Sequence, residues 1–521
     1  MTTSRFGQSV LIVDCKLDEM SRLRDIVTGL AFTNIDVASS ANMGVSYLRE
    51  QQYDLVLIAY DLGKNEKNGL QVIQEAFAEK LHLFQTLFLL IIDPDASTLL
   101  VGSLESAPDA YIVRPYDRAK IQSQLEKLIR VKKAVACVED CMDKGDWQRG
   151  LLYCEKLISV YPGLKVYLER LQGICLLESK EYEKAEALFS RLSETKKQTW
   201  SLVGKGMSCY YLGRYSASIE VLQKVVDQQH ISVEAFSWLA RSMYVIGELQ
   251  QAVLLMRKAV MLQPTVPQLQ SELGNLAAFS GEWTLAVDAF RAAVRYSRYS
   301  VFQEPDHYFA LVRSMIALHA IKPMNVAELE MECVRLMEDV SRDTMDDHSV
   351  RCRSHIILAE LRDALGNSMM AEGELDLALT QFRELSVDQQ WRWIDWMQDA
   401  SEGKRQAEEV RKIKNALIQS TDASEWVALM IQGLQLYRKK MLSKSFSLFR
   451  RAIESGAACP SLVLNTAQVA VEMKATKDSG LSEAQWHLCL RDLNGLNFGG
   501  LAVKQQTRYQ KIMKRFIELQ V

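Results

Sequence analysis

The chain is short of proline, with 9 in 521 residues, and has only 25 glycines. No Pro/Gly-rich segment therefore marks a flexible or low-complexity linker. No apolar run approaches the roughly 20 residues that span a bilayer; the longest are strand-sized, so membrane insertion is not expected. An excess of one charge is also missing: 62 basic residues face 65 acidic ones, for a net charge of -3 and a pI near 6.3. That balance gives no electrostatic footprint for nucleic acid or an anionic membrane surface. Met1 to Gln8 has no hydrophobic stretch of the kind a secretion signal needs. Ten cysteines without regular spacing read as reduced thiols, so a cytoplasmic location is expected. Phosphate-binding loop, nucleophile elbow and dinucleotide fingerprint are all missing, so the chain reads as a non-enzyme with no cofactor and no metal.

What is present begins with short buried strands. Val10-Leu11-Ile12-Val13-Asp14, Leu55-Val56-Leu57-Ile58, the run Leu87 to Ile92, and Tyr111-Ile112-Val113 are separated by helical periodicity. Strands alternating with amphipathic helices predict βαβ units and a parallel sheet, with reactive groups gathered at the strand carboxyl ends. Asp14, Cys15, Ala59, Ile92 and Arg114 all fall at such ends.

In element order and in these strand-end positions the first 125 or so residues resemble the receiver domain of response regulators. The resemblance implies an acidic pair for a divalent metal, an acceptor aspartate, a hydroxyl and a lysine. Here the acidic pair is Asp14-Cys15, the acceptor position is Ala59, the hydroxyl position is Ile92, and the lysine position is Arg114 before Pro115. Tyr111 matches the family's switch aromatic. A methyl group accepts no phosphoryl group, and four coincident departures define a degenerate pocket. The domain is expected to be a pseudo-receiver. Asp61, beyond the strand end, is poorly placed to substitute because in-line transfer is strict about geometry.

From residue 131 a helical beat of about 34 residues replaces the strands. Gly213, Gly247 and Gly281 are spaced 34 apart, followed by Tyr215, Leu249 and Trp283. Ser218, Ala252 and Ala286 recur in phase, as do Leu222, Met256 and Phe290; Gly206, Ala240 and Gly274 hold the matching place in the preceding helix. This pattern resembles the tetratricopeptide repeat, in which small residues let paired helices approach. Gly173 with Phe189 fits a weaker copy, and Gly433 with Phe449 and Ala452 a late one. The expected fold class is a flavodoxin-like α/β receiver domain followed by an all-α tetratricopeptide superhelix. Its divisions are 1–130 (pseudo-receiver), 131–300 (five hairpins) and 301–521 (divergent repeats with a terminal capping helix).

In this repeat family the first helix of each pair lines the concave groove. That projection nominates Trp200, Met207, Tyr210, Tyr211, Arg241, Tyr244, Asn275 and Phe279 as a protein-binding groove, because aromatics and arginine dominate interface hot spots. Trp391, Trp393 and Trp396 crowd one segment, and an exposed indole among them would mark a second interface. Lys504, Arg508, Lys511, Lys514 and Arg515 form a basic stripe on the last helix, read as its solvated face. Cys137 with Cys141 and His348 with His355 share helical spacing but lack the partners of a metal site.

The whole arrangement resembles a bacterial group in which a receiver precedes tetratricopeptide repeats. The run Ala59-Tyr60-Asp61-Leu62-Gly63 followed by Lys67-Asn68-Gly69 carries that likeness. It implies a two-component signalling adaptor whose partners are proteins, such as a histidine kinase or another response regulator. The alternative is a scaffold that homodimerises through the receiver-like domain.

Overall fold

The structure, a computed structural model, describes all residues except 1–8, 31, 64–66, 82–83, 95–107, 197, 228–231, 299, 345–346, 420–423, 457–458, 477–479 and 521. The chain divides into two compact units. One holds Met1–Ser242 with Leu254–Val266 and Tyr296–Phe302; the other holds Met243–Val253 with Pro267–Arg295 and Gln303–Val521.

The first unit begins with β1 (Ser9–Val13), α1 (Leu17–Thr28), β2 (Asn34–Ala38), α2 (Ala41–Glu50), β3 (Leu55–Ala59), α3 (Gly69–Ala78), β4 (Leu87–Ile92) and β5 (Ala110–Val113). The strands form one parallel sheet in the order β2-β1-β3-β4-β5. That is the doubly wound, flavodoxin-like order, whose crevice lies beyond the carboxyl ends of the strands. Alternate residues feed opposite cores: Leu11, Val13, Val56, Ile58 and Leu90 face α2 and α3, while Val10, Ile12, Leu55, Leu57 and Leu89 face α1. Burial on both sides explains why β1, β3 and β4 are continuous apolar runs.

The helix after β5 does not stop at the domain edge. It is α4 (Arg118–Asp143), one 26-residue helix, so residue 130 lies within it. Ile121 and Leu125 pack under the sheet, whereas Val135, Val138 and Met142 belong to the core of the first hairpin. The same helix anchors the sheet by polar contacts. Asp143 accepts from the Phe84 and Gln85 amides at 3.0 and 3.3 Å. Lys132 donates to the Phe84 carbonyl at 2.6 Å and pairs with Asp109 and Glu139 at 2.9 Å each.

Hairpins follow: α4 with α5 (Trp147–Val160), α6 (Lys165–Glu178) with α7 (Tyr182–Lys196), α8 (Thr199–Tyr211) with α9 (Tyr215–Asp227), and α10 (Val233–Val245) with α11 (Leu249–Leu262). Their paired helices approach closely. A Cβ on Gly173 would meet the Phe189 ring at 2.4 Å, and one on Gly206 would meet Leu222 at 2.5 Å. Ser218 Oγ caps the Gly206 carbonyl at 2.8 Å, so the small residue of the second helix satisfies the backbone of the first.

The second unit continues the pattern through α12 (Pro267–Ser280) with α13 (Trp283–Ser297), α14 (Pro305–Ile321) with α15 (Val326–Asp343), and α16 (His348–Ala364) with α17 (Ser368–Arg383). Then come α18 (Val387–Ala400) with α19 (Ala407–Gln419), α20 (Glu425–Arg438) with α21 (Leu442–Glu454), α22 (Pro460–Ala475) with α23 (Glu483–Asn494), a 3-10 turn Phe498–Gly500, and α24 (Val503–Gln520). Gly274 meets Phe290 as Gly206 meets Leu222, at 2.8 Å for a built Cβ. The late repeat repeats both devices: Gly433 lies against Phe449, and Ser445 Oγ caps the Gly433 carbonyl at 2.8 Å. The phase glycines Gly213, Gly247 and Gly281 have φ of 74°, 91° and 79°, the left-handed position that ends a helix with glycine. Lys180 and Lys440 hold the same conformation without glycine, at φ 61° and 59°. Among the described residues no helix is long and apolar enough to cross a membrane.

Candidate functional site

The first candidate lies at the carboxyl end of the sheet. Asp14 directly follows β1 and is completely buried. Its Oδ1 accepts from the Lys16 amide at 3.0 Å and its Oδ2 pairs with Arg114 Nη2 at 2.5 Å. Arg114 also faces Asp93 at 3.6 Å and Glu19 at 3.8 Å, and the Tyr116 hydroxyl donates to Glu19 at 2.5 Å. Burial pushes the Asp14 carboxyl above its usual range, opposed by the Lys16 amide and the Arg114 guanidinium. The Arg114 guanidinium thus supplies the positive charge facing this carboxylate.

The other positions complete a closed surface. Ala59 ends β3 and is fully buried, and its carbonyl is so close to Gly69 that a Cβ there would meet it at 2.3 Å. Ile92 ends β4 and is 2% exposed, adding an apolar side chain at this end of the sheet. Cys15 is exposed, with its thiol 3.7 Å from the Asp61 carbonyl oxygen. The Asp61 carboxylate is committed to the Gly63 amide at 3.0 Å. Tyr111 packs at the edge of the sheet core, its hydroxyl pushed up to about 12 by burial.

The second candidate is the proposed groove, and its residues do not share one fate. In the first unit the aromatics form a ladder between repeats. Tyr182 stacks on Tyr211 at 4.6 Å; Tyr210 and Tyr211 each meet Trp238 edge-on at 5.3 Å; Arg241 lies over the same indole at 4.2 Å. Met207 and Tyr210 are buried. Trp238, which the sequence reading did not nominate, is the hub. It sits one turn before Arg241 on α10, a spacing that could have singled it out. Trp200 is half-buried, edge-on to Phe189 at 6.3 Å.

In the second unit the nominated residues are covered by the end of the same chain. The Tyr244 and Tyr509 hydroxyls share a hydrogen bond of 2.9 Å, and Phe279 packs edge-on against Phe498 and Tyr509 at 5.3 and 5.8 Å. Asn275 Oδ1 accepts from the Gly499 amide at 2.9 Å, and Arg313 donates to the Gly500 carbonyl at 2.5 Å. A Cβ on Gly499 would meet Phe290 at 2.6 Å, so only glycine allows this approach. α24 turns Tyr509, Ile512, Met513 and Phe516 into the core, while Lys504, Lys511, Lys514 and Arg515 of its basic stripe are exposed. Arg508 is the member of the stripe that departs from this, reaching Gln468 and Asn465 at 2.7 and 2.8 Å.

The tryptophan cluster offers no exposed indole. Trp391 and Trp396 are buried, and Trp393 is half-buried beneath the Arg353 guanidinium at 4.1 Å, with Arg313 stacked on Trp396 at 3.9 Å. Three tryptophans share one helix because two arginines fill the gaps between rings. Of the paired cysteines, Cys137 is exposed and Cys141 buried. His348 bonds Gln381 at 2.9 Å and His355 pairs with Glu374 at 2.6 Å, so the two histidines serve different neighbours.

No family model and no curated protein matches the chain. Among solved structures it is similar to MamA AMB-1, at 18% identity over 36% of this chain and 93% of that one, with a TM-score of 0.28. It is also similar to the C-terminal part of a TPR repeat-containing protein from Cytophaga hutchinsonii, at 13% identity, 53% and 98% coverage and a TM-score of 0.37. A human IFIT1 dimer with m7Gppp-AAAA aligns at 14% identity, 72% and 85% coverage and a TM-score of 0.32. With scores this low, the repeat assignment rests on the glycine–aromatic packing and the serine caps described above.

Proposed function

We propose that the protein is a non-enzymatic adaptor of a two-component-type pathway in the bacterial cytoplasm. In this reading its α/β domain is a receiver without phosphoryl chemistry, and its repeats bind protein partners. One observation carries the proposal: Arg114 is bonded to the buried Asp14 at a strand end where Ala59 and Ile92 present only carbon. Of the five strand-end positions only Asp14 carries a carboxylate, and Arg114 pairs it internally, which leaves no acceptor at Ala59. Docking on a histidine kinase or competition with an authentic receiver would then depend on shape and occupancy. The continuous α4 helix and the Lys132 contacts tie that domain to the first hairpins, so a partner on one is felt by the other.

The test is incubation of the full chain with acetyl phosphate and magnesium, read by intact-mass spectrometry. Unmodified protein is the expected result; a phosphoryl adduct on this chain would refute the reading. The second reading, a scaffold that dimerises through the α/β domain, is addressed by sedimentation of the full chain. A monomer at micromolar concentration supports the adaptor, and a tight dimer supports the scaffold.

A further inference from the structure

The first unit contains a cavity of about 380 Å³ that the adaptor reading does not use. It opens where the sheet meets the first repeats. Leu87 at the start of β4, Leu128 and Val131 of α4, Val166 of α6 and the half-buried Trp200 of α8 form its walls. Cavities of roughly 300–1,000 Å³ at such junctions are where proteins hold small ligands.

Its polar lining defines the ligand. Lys132 has three N–H donors, and three acceptors meet them: the Phe84 carbonyl, Glu139 and Asp109. The second Asp109 oxygen accepts from the Phe88 amide at 2.8 Å, and the Tyr167 hydroxyl donates to Glu139 at 3.0 Å. Lining cations Lys132 and Arg170 are matched in number by Asp109 and the Glu139 behind it. Burial lowers the Lys132 affinity for its proton, but the two carboxylates outweigh that, so it stays charged; burial also pushes Glu139 up to about 7. Lys132, Tyr167 and Arg170 all have partners within the protein, so the lining does not select a charged ligand. What remains is apolar wall and the Trp200 indole.

The geometry points to a binding site for a small, neutral, largely apolar and flat molecule, held by shape between α4, α6 and Trp200. Such a site would let a metabolite or hydrophobic signal act on the joint between the α/β domain and the repeats. The inference stands apart from the phosphorylation reading, since neither Asp14 nor Arg114 takes part.

The test uses the neutral fluorophore N-phenyl-1-naphthylamine, titrated into the full chain. Saturable enhancement with one site per chain is expected. Val166→Phe, which fills the cavity, and Trp200→Leu, which removes the indole from its wall, should each weaken binding at least tenfold. Leu254→Ala, on the exposed side of α11, should leave it unchanged. Thermal melts of each variant separate loss of the site from loss of the fold. Absence of saturable binding to the unaltered chain would overturn the inference, as would equal binding by folded Val166→Phe and Trp200→Leu proteins.

Discussion

Tyr211 and Arg241 in the first unit and Tyr244, Asn275 and Phe279 in the second carry the same sequence signal: aromatics and polar residues on the first helices of successive hairpins. Their surroundings differ. The first pair belongs to a ladder between neighbouring repeats, centred on Trp238. The second group holds a segment more than 200 residues away in sequence, through Asn275 to Gly499 and Tyr244 to Tyr509. Residue type identifies a surface suited to binding, but it does not say whether another part of the chain already covers that surface.

The strongest way to break this comparison is Phe498→Ala. Phe498 is 3% exposed and packed on Phe279, so its loss should cost about 3–5 kcal/mol in denaturant unfolding, as for other buried aromatics. A cost below about 1 kcal/mol would mean that the groove is open and the segment only rests on it.

Arg114→Met asks the parallel question of the α/β domain. It strands a fully buried carboxylate and should cost about 3 kcal/mol near neutral pH. The sign of its pH dependence follows from Asp14, whose folded-state pKa is raised by burial. The neutral acid is favoured in the fold, so the deficit should shrink as pH falls through that raised value. A deficit independent of pH would show that Asp14 is not the group left unpaired.

Tyr509→Phe sharpens the comparison more finely. It removes one buried hydroxyl and its hydrogen bond to Tyr244, for an expected loss of about 1 kcal/mol read from urea unfolding. The smallest effect concerns the helix ends. Lys440 at φ 59° sits where Gly213 and Gly281 sit in their own repeats. Lys440→Gly relieves about 1–2 kcal/mol of left-handed strain but adds about 0.5–1 kcal/mol of unfolded-state entropy. A net gain of about 0.5 kcal/mol is expected from calorimetry, and a loss would place the strain elsewhere.

These residues also show what the sequence discloses. Strands β1, β3 and β4 were legible because burial on both faces leaves unbroken apolar runs. Strand β2 was not, since Asn34–Ala38 is a half-exposed edge with a mixed pattern. The repeats were legible where glycine marks the left-handed turn, and faded where Lys180 and Lys440 occupy it. Asp14, Ala59, Ile92 and Arg114 could be placed at strand ends from the sequence, but the Asp14–Arg114 pair joins residues 100 apart. The covering of Asn275 and Phe279 depends on α24 folding back, which local periodicity does not encode.

The most direct test of the closed pocket is to restore its missing acceptor. Ala59→Asp, treated with acetyl phosphate and magnesium and followed by intact mass, should remain unmodified, because Arg114 still holds Asp14 and Ile92 still offers no hydroxyl. A stoichiometric phosphoryl adduct on that variant would contradict the account, showing a working receiver disabled at a single residue.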